Sequence, residues 1–375
     1  MKKILFISNN ATRTGAPYVL LLFLKWLKNE NKNIEIDVLV LEGGDLLDDL
    51  KKVANVCYTY NDILIKKSFG NRLYSYLLYK INKKNTRKNR YIKRIAGQKY
   101  DIIYANTIAS VTFATLLKKH CINRPKLIVH IHELNTTIKE YLPNFNEYIP
   151  YIDSFISVSK LVMQHLNTDW GINPLKNHLV YAFSDKKAVK EEGNKKVFEV
   201  GASGMVNWRK GDDLFIQVAN YLKIRYPEIK IKFTWVGQLY NQQKNIIEAD
   251  LQKANLKETV FFVGEQSNPE KYYKNFDVFL MTSREDPFPL VCIEVGKSGI
   301  PIICFEKATG TTEILVDGGG FIVPYLDVVA MAEKVILYYN HSALRNKDGN
   351  LNKVNFSKFT AANMGEKIFN CIESV

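Results

Sequence analysis

Short runs of apolar, often β-branched residues alternate with segments of helical apolar spacing along almost the whole chain. Two examples are "KKILFIS" before "GAPYVLLLFLKWLKNE", and "YDIIYAN" before "IASVTFATLLKKH". The strand segments are continuous apolar runs, which are typical of parallel strands buried on both faces. The alternation therefore predicts an α/β protein with doubly wound parallel sheets.

The pattern weakens between residues 171 and 196, where "GINPLKNHLV" and the charged "SDKKAVKEEGNKK" lie, and restarts at "KVFEVGASG". This break predicts two Rossmann-like domains, 1–180 and 181–355, followed by a C-terminal helix over 356–375. Ligands of open α/β sheets bind beyond the carboxyl ends of the strands. We therefore expect the functional residues in the βα loops, around a cleft between the two domains.

Composition agrees with a globular protein of two domains. The chain has 375 residues, of which 46% are hydrophobic and 24% charged. No apolar run approaches the ~20 residues of a membrane span, and the apolar start is too short for a signal peptide. The five cysteines are scattered, which indicates reduced core thiols in a cytoplasmic protein.

The net charge of +14 is concentrated in one segment. Residues 63–100 contain 12 Lys and Arg and no Asp or Glu, so the rest of the chain is nearly neutral. We place a basic insert at about 66–99, where aromatic and aliphatic residues recur between the basic ones at roughly helical spacing. Such helices bind anionic membrane surfaces. A solvated helix and a nucleic-acid-binding face are the alternatives.

The segment "SREDPFPLVCIEVGKSGIPIICF" (283–305) reads as a loop, a helix and a strand. Pro289 suits the first helical position, and the amides of Phe288, Leu290 and Val291 would form an anion site there. Asp286 could be no more than a favourable charge at the helix start. Glu294 lies among apolar neighbours, so its carboxylate needs hydroxyl partners, which a sugar or ribose would supply.

This segment resembles the signature of the retaining glycosyltransferases of family 4, which have the GT-B fold of two facing Rossmann-like domains. That family carries a Glu–x7–Glu pair in the form S-x-x-E-G-F-G-L. The positions that match it are Ser283, Asp286, Phe288, Leu290, Glu294, Gly299 and Pro301. Asp286 replaces the first glutamate. The resemblance implies that Asp286 binds the donor sugar and that Glu294 binds the ribose.

The resemblance extends along the second domain. Lys210, in "GASGMVNWRKGDDLF", occupies the position that holds the donor diphosphate. The family's partner arginine is replaced by Met205, and Arg209 is the candidate substitute. Alone, a lysine before a helix is usually a solvated charge. Further on, "KATGTTEILVDGGGFIVP" resembles the family's next donor-binding segment, which adds Gly310, Thr311 and Glu313 as candidates for the donor sugar and phosphate.

In the first domain, Gly15 and Ala16 lie where the family has a glycine-rich loop, although a simple helix cap would explain them equally well. His132 matches a histidine found beside the donor sugar. A lone histidine at a strand end is more often structural. His130 and His132 are expected to point to opposite faces of their strand, so no metal site is predicted.

Together these features predict a metal-independent hexosyltransferase. It would use a nucleotide sugar such as a UDP- or GDP-sugar, without a cofactor, and a glycan or lipid-diphosphate-linked acceptor in bacterial surface polysaccharide synthesis. No D-x-D motif occurs, so fixed cations and amides would hold the diphosphate. Retention of anomeric configuration is implied by the resemblance alone. We expect a cytoplasmic protein, peripheral on the inner face of the cell membrane, with no nucleic-acid partner.

Two other functions fit parts of the pattern. A nucleotide-sugar epimerase of the same fold would consume a UDP-sugar without an acceptor. A nucleic-acid-binding protein would use the basic insert and would not need Glu294. A dinucleotide-dependent dehydrogenase is disfavoured because "GASGMVNW" lacks the third glycine of that fingerprint.

Overall fold

The computed structural model describes residues 1–60, 84–186 and 197–375. The first part of the predicted basic insert, 66–83, lies outside the described residues. The chain divides into two compact units. Unit 1 comprises Met1–Val158, Val162–Val180 and Ala361–Val375, and unit 2 comprises Ser159–Leu161 and Tyr181–Thr360.

Unit 1 is built on a seven-stranded parallel sheet of order β3-β2-β1-β4-β5-β6-β7. The strands are β1 (Lys2–Ser8), β2 (Ile34–Val40), β3 (Val56–Thr59), β4 (Ile102–Asn106), β5 (Lys126–Ile131), β6 (Ser154–Ser157) and β7 (Asn177–Leu179). All five residues of β4 are buried. Apolar runs form the central strands because helices cover both faces of the sheet.

The helices of unit 1 connect and cover these strands. They are α1 (Gly15–Asn29), α2 (Leu47–Val53), α3 (Lys84–Ala96), α4 (Val111–His120), α5 (Asn135–Tyr141), α6 (Lys160–Asp169) and α14 (Ala361–Glu373), with short 3₁₀ turns at Ile108–Ser110, Phe145–Glu147, Ile149–Tyr151 and Pro174–Lys176. The first two residues of α6 are assigned to unit 2. Helix α14 packs on α1, where the rings of Trp26 and Phe369 lie 6.4 Å apart.

Unit 2 is built on a six-stranded parallel sheet of order β10-β9-β8-β11-β12-β13. Its strands are β8 (Phe198–Ser203), β9 (Ile231–Val236), β10 (Val260–Phe262), β11 (Val278–Met281), β12 (Ile302–Phe305) and β13 (Gly320–Val323). Its helices are α7 (Asp212–Arg225), α8 (Asn241–Lys253), α9 (Glu270–Tyr273), α10 (Leu290–Lys297), α11 (Thr312–Leu315), α12 (Val328–Asn340) and α13 (Ser342–Ser357).

Both sheets have a point where the strand order reverses. In unit 1 the chain runs outward from β1 to β3 and returns to β4 on the other side of β1, and in unit 2 it returns to β11 beside β8. Loops at the carboxyl ends of such strand pairs diverge and leave a crevice in which α/β proteins bind ligands. Among the described residues, no helix is long and apolar enough to span a membrane.

Candidate functional site

Three loops follow neighbouring strands at the carboxyl edge of the unit 2 sheet. They are 204–211 after β8, 282–289 after β11 and 306–311 after β12. Each loop ends at a helix start, so helix-terminal amides and loop side chains converge on the same edge of the sheet. Most of the candidates from the donor-binding segments of the sequence lie in these loops.

The loop after β8 is fixed by a backbone contact at Gly211. This glycine has φ of +72°, and a Cβ atom there would lie 2.1 Å from the carbonyl oxygen of Thr282. The hydroxyl of Thr282 donates to the carbonyl of Lys210 at 3.0 Å. Only glycine tolerates this combination of positive φ and close approach. The contact therefore holds Lys210 against the loop that follows β11.

Lys210, Arg209 and Asp286 form a charged cluster. The Lys210 ammonium is hydrogen-bonded to the Asp286 carboxylate, and these side chains are 13% and 9% exposed. Nη1 of Arg209 lies 3.7 Å from the same carboxylate and donates to the carbonyl of Glu285 at 2.7 Å. Two cations thus share one carboxylate, which leaves positive charge for an anion. Met205, in the family's arginine position, is 40% exposed.

The loop after β12 is joined to Asp286 through the backbone. The amide of Asp286 donates to the carbonyl of Ala308 at 2.8 Å, and the amide of Gly310 donates to the carbonyl of Pro287 at 3.0 Å. The amide of Thr311 donates to the hydroxyl of Thr309 at 3.1 Å. The predicted amide donors at Gly310 and Thr311 thus already have protein acceptors, and their contact with a phosphate stays a prediction.

Glu313 also has protein partners. Its carboxylate accepts hydrogen bonds from the amides of Lys160 and Leu161 at 3.0 and 2.9 Å and from the hydroxyl of Tyr181 at 2.9 Å. Three donors account for most of what one carboxylate can accept in a compact site. The described contacts make Glu313 a cap for this backbone turn, and its predicted role toward the donor is untested.

The helix after Asp286 begins at Leu290, with Pro289 as the preceding cap residue rather than the first helical one. Phe288 is buried against the rings of Tyr181 and Phe359, at 4.9 and 5.1 Å between centroids. Leu290 and Val291 are partly exposed. The first amides of a helix have no acceptor within it, which provides donors at the start of α10, and their contact with an anion stays a prediction.

Glu294 is a buried carboxylate, 7% exposed. The hydroxyl of Ser184 donates to its Oε1 at 2.8 Å. Burial raises its pKa from 4.5 to about 7, although the hydrogen bond from Ser184 and the charges of Lys186 and Lys297 oppose the rise. Any additional hydrogen-bond donor, including a ribose hydroxyl, would stabilise the ionised form of this buried carboxylate.

The sequence did not identify Ser184 and Lys297 as residues that surround Glu294. The ammonium of Lys297 donates to the carbonyls of Ser184 and Phe359 at 2.5 and 2.9 Å and so fixes the chain beside Glu294. Lys297 lies three residues after Glu294 on one helix, a spacing that could have indicated it. Ser184 is 110 residues away along the chain and gave no local signal.

Gly15 and Ala16 lie in unit 1, where α1 begins at Gly15. Gly15 has φ of +39°, and a Cβ atom there would meet no atom within 4 Å. The side-chain amide of Asn106 donates to the carbonyl of Ala16 at 3.1 Å and ties this helix start to the end of β4. The preceding Thr14 makes no side-chain cap hydrogen bond.

His132 follows β5, also in unit 1, and its amide donates to the carboxylate of Glu133 at 2.9 Å. Burial lowers the pKa of His132 to about 3, so the imidazole is neutral at pH 7. Its ring centroid lies 4.1 Å from that of His130. The prediction that the two rings point to opposite faces is therefore wrong, because residues two apart on a strand share a face.

The structure thus places Gly15, Ala16 and His132 at the carboxyl edge of the unit 1 sheet, and the other candidates in unit 2. Within unit 2 it brings Arg209, Lys210 and Asp286 into direct contact. Within the described ranges, no group of three or more His, Cys, Asp and Glu side chains is arranged to hold a metal ion. Metal independence of the reaction stays a prediction.

Comparison with known proteins gives matches to glycosyltransferases. The model of the family "Glycosyl transferases group 1" matches residues 183–353, which is most of unit 2. The O-antigen biosynthesis glycosyltransferase WclY of Escherichia coli is 26% identical over 321 residues, covering 80% of this chain and 79% of that protein. The capsular polysaccharide biosynthesis glycosyltransferase CapM of Staphylococcus aureus is 29% identical over 153 residues, covering 40% of this chain and 39% of that protein.

Solved structures share the fold at low sequence identity. Anabaena Alr3699/HepE, solved with UDP and glucose, has a TM-score of 0.77 and 16% identity over 100% of both chains. A variant of Staphylococcus aureus TarM, solved with fondaparinux, alpha-GlcNAc-glycerol and UDP, has a TM-score of 0.77 and 15% identity over 99% of both chains. The predicted α/β class, with two Rossmann-like parallel sheets and GT-B neighbours, is confirmed.

Proposed function

We propose that this chain, a glycosyltransferase by its family match and its curated relatives, moves a sugar from a nucleotide-sugar donor to a glycan or lipid-linked acceptor of a bacterial surface polysaccharide. The observation that carries the donor assignment is the cluster of Lys210, Arg209 and Asp286. It lies at the strand-order reversal of the unit 2 sheet, the position at which doubly wound sheets bind nucleotides.

The chemistry of transfer explains why cations are needed there. The bond between sugar and diphosphate breaks with negative charge developing on the leaving oxygen. Prearranged cations and amides stabilise that charge without reorganisation in the transition state. Lys210 and Arg209 supply the cations, and the first amides of α10 supply neutral donors.

Asp286 has two roles in this proposal. In the ligand-free protein it neutralises Lys210, so the ammonium is held in place without an unpaired charge being buried. When a diphosphate binds, Lys210 exchanges the carboxylate for phosphate oxygens. Asp286 is then free to accept hydrogen bonds from sugar hydroxyls and to favour positive charge on the sugar ring.

Glu294 would bind the ribose hydroxyls. The pKa of about 7 supports this role, because a carboxylate destabilised by burial is stabilised by each hydroxyl that donates to it. The family 4 assignment and retention of anomeric configuration rest on the signature around Asp286 and Glu294. The His132 imidazole is neutral at pH 7, so its role toward a sugar would be that of a hydrogen-bonding group rather than of a cation.

The described end of the basic insert supports a membrane-bound acceptor. In α3, Ile92 and Ile95 are buried in unit 1, whereas Arg90, Lys93 and Arg94 are exposed. The helix thus packs through its apolar side and presents basic side chains to solvent. Basic helices of this kind bind anionic lipid headgroups, near which a lipid-diphosphate-linked acceptor would lie.

A product assay tests the proposal. The protein is incubated with UDP-glucose, UDP-galactose, UDP-N-acetylglucosamine or GDP-mannose and a panel of octyl glycosides, and products are identified by mass spectrometry and proton NMR. We expect one donor to give a new glycoside with the anomeric configuration of the donor, and Lys210→Gln to give none. Inverted product would refute retention.

A second variant separates loss of charge from loss of folding. Lys210→Gln leaves Asp286 with Arg209 alone, which can destabilise the protein. Lys210→Gln/Asp286→Asn removes both buried charges and should melt close to the wild type while remaining inactive. Transfer by this double variant at the wild-type rate would refute the donor-site assignment.

A further inference from the structure

Thr107 has a backbone conformation that is essentially restricted to glycine. It follows β4 directly and has φ of +93° and ψ of +157°. A β-branched residue in this region is a steric outlier, and such strain persists only where surrounding contacts enforce it. Outliers of this kind occur most often at ligand-binding and catalytic positions, so the cause of this one has to be found in its surroundings.

Four hydrogen bonds hold this stretch of backbone. The amide of Thr107 donates to the carbonyl of His130 at 2.9 Å, and its carbonyl accepts from the amide of Ser110 at 3.2 Å. The Ser110 hydroxyl donates to the carbonyl of Asn106 at 3.1 Å, and the amide of Ile108 donates to Glu133 at 3.2 Å. These bonds enforce the strain, but none of them needs the threonine side chain. Glycine would make the same backbone contacts without strain.

The Thr107 side chain makes no hydrogen bond to any part of the chain that the structure describes. Thr107 is 4% exposed, and its hydroxyl oxygen is buried without a hydrogen bond to any described residue. Burial of an unpaired hydroxyl costs stability in addition to the backbone strain. Thr107 thus combines backbone strain with an unpaired buried hydroxyl, and glycine at this position would carry neither.

The neighbouring strand ends carry further unpaired polar atoms. Asn106 pairs with Ser8 of β1 and with His130 of β5, so Thr107 lies beside the ends of both strands at the reversal point of the sheet. In the described part of the chain, the side-chain oxygens of Asn106 and Asn9 are also buried without a hydrogen bond. The two amide oxygens can accept hydrogen bonds from a ligand, and the hydroxyl can both donate and accept one.

We propose that Thr107 binds an uncharged hydroxyl of a sugar substrate through Oγ1, with the side-chain oxygens of Asn106 and Asn9 as neighbouring acceptors. The inference rests on the proposed function and names the substrate group that unit 1 receives. Sugar hydroxyls both donate and accept, which matches this set. A phosphate would bring only acceptors to a site whose amide oxygens are themselves acceptors.

Thr107→Val is the decisive variant, because it keeps the shape and the β-branch and removes only the hydroxyl. Thr115→Val is the matched control. Thr115 lies in α4 of the same unit, is 1% exposed, and its hydroxyl is likewise unpaired among the described residues, but it is within a helix rather than at the strand ends. Both variants should melt at or above the wild-type temperature, because each removes a buried unpaired hydroxyl.

Binding and transfer then distinguish the source of the hydroxyl. Affinities for UDP-glucose, UDP-galactose, UDP-N-acetylglucosamine, GDP-mannose, UDP and GDP are measured by calorimetry, and transfer to octyl glycosides by product release. If the hydroxyl belongs to the donor sugar, Thr107→Val weakens the nucleotide sugar about fivefold and leaves the free nucleotide unchanged. If it belongs to the acceptor, donor affinity is unchanged and transfer at limiting acceptor falls about fivefold.

Thr107→Ser, which retains the hydroxyl, should restore most of the lost function. If Thr107→Val and Thr115→Val both match the wild type in affinity and transfer, the hydroxyl binds an internal water only and the proposal is overturned. If the wild type itself binds no nucleotide sugar, the proposed function fails and this inference fails with it. If the wild type binds a nucleotide sugar and Lys210→Gln does not, the proposed donor site is supported. An unchanged affinity and transfer rate in Thr107→Val would then count against the role of Thr107 alone.

Discussion

Replacing Glu294 by glutamine should remove a pH dependence that the buried carboxylate imposes on the folded protein. Its pKa rises from 4.5 in the unfolded chain to about 7 in the folded one. For an acid whose pKa is raised by folding, the contribution to stability is complete below the unfolded pKa and is lost as pH rises through the folded pKa. The window is therefore about pH 4.5 to 7.

The magnitude follows from the size of the rise. One unit of pKa shift corresponds to about 1.4 kcal/mol, so the rise of the Glu294 pKa makes the folded protein less stable at pH 8 than at pH 5 by about 2–3 kcal/mol. The amide side chain introduced by Glu294→Gln can still accept the hydrogen bond from Ser184, but it does not titrate. The free energy of unfolding, measured with urea at pH 5 and pH 8, should therefore fall by about 2–3 kcal/mol more in the wild type than in the variant.

The same group links donor binding to protons. Ribose hydroxyls that donate to Glu294 would stabilise its ionised form, so the nucleotide sugar should bind more tightly as pH rises from 6 to 8, with release of a proton fraction. Calorimetry in two buffers of different ionisation enthalpy measures that fraction. UDP-glucose is the ligand for this experiment rather than UDP, because the terminal phosphate of UDP itself titrates near pH 6 and would contribute protons of its own. Equal proton release by the wild type and Glu294→Gln would refute the role of Glu294.

Three further outcomes follow from the geometry. Gly211→Ala should destabilise the protein by about 2–3 kcal/mol in thermal unfolding, because the new Cβ would lie 2.1 Å from a carbonyl oxygen. Gly15→Ala, whose Cβ would meet no atom within 4 Å, should destabilise it by about 1 kcal/mol or less. Asp286→Asn should lower kcat by about 100-fold with little change in donor affinity, and an unchanged kcat would contradict its electrostatic role. Lys93→Glu/Arg94→Glu should reduce flotation with phosphatidylglycerol vesicles at low salt but not nucleotide binding, and equal flotation would count against membrane association.

The sheets could be predicted from sequence because their strands are local apolar runs. Strand β11 is buried throughout, and the loop and helix after it carry Asp286 and Glu294 at the predicted spacing. The starts of helices were predicted less precisely than the strands. Pro289 was expected as the first residue of α10, but the helix begins at Leu290 because the proline adopts an extended cap conformation. A pattern of apolar spacing does not resolve a boundary to one residue.

The contacts of the site could not be predicted in the same way. Lys210 and Asp286 are 76 residues apart, and Ser184 and Glu294 are 110 apart, so each pair exists only once the strands have been assembled. The strained backbone of Thr107 is set by hydrogen bonds to β5 and to the following turn, and nothing in a threonine indicates it locally. The resemblance to a known signature identified the positions but not these partners.

The affinity of the Lys210→Gln variant for UDP-glucose and GDP-mannose tests the central claim most directly. Lys253→Gln, which removes an exposed lysine at the end of α8, is the matched control for the lost charge. We expect the wild type and the control to bind one of these nucleotide sugars equally and Lys210→Gln to bind it at least tenfold more weakly. Equal affinities for all three proteins would show that the cluster at the unit 2 strand reversal does not hold the donor diphosphate.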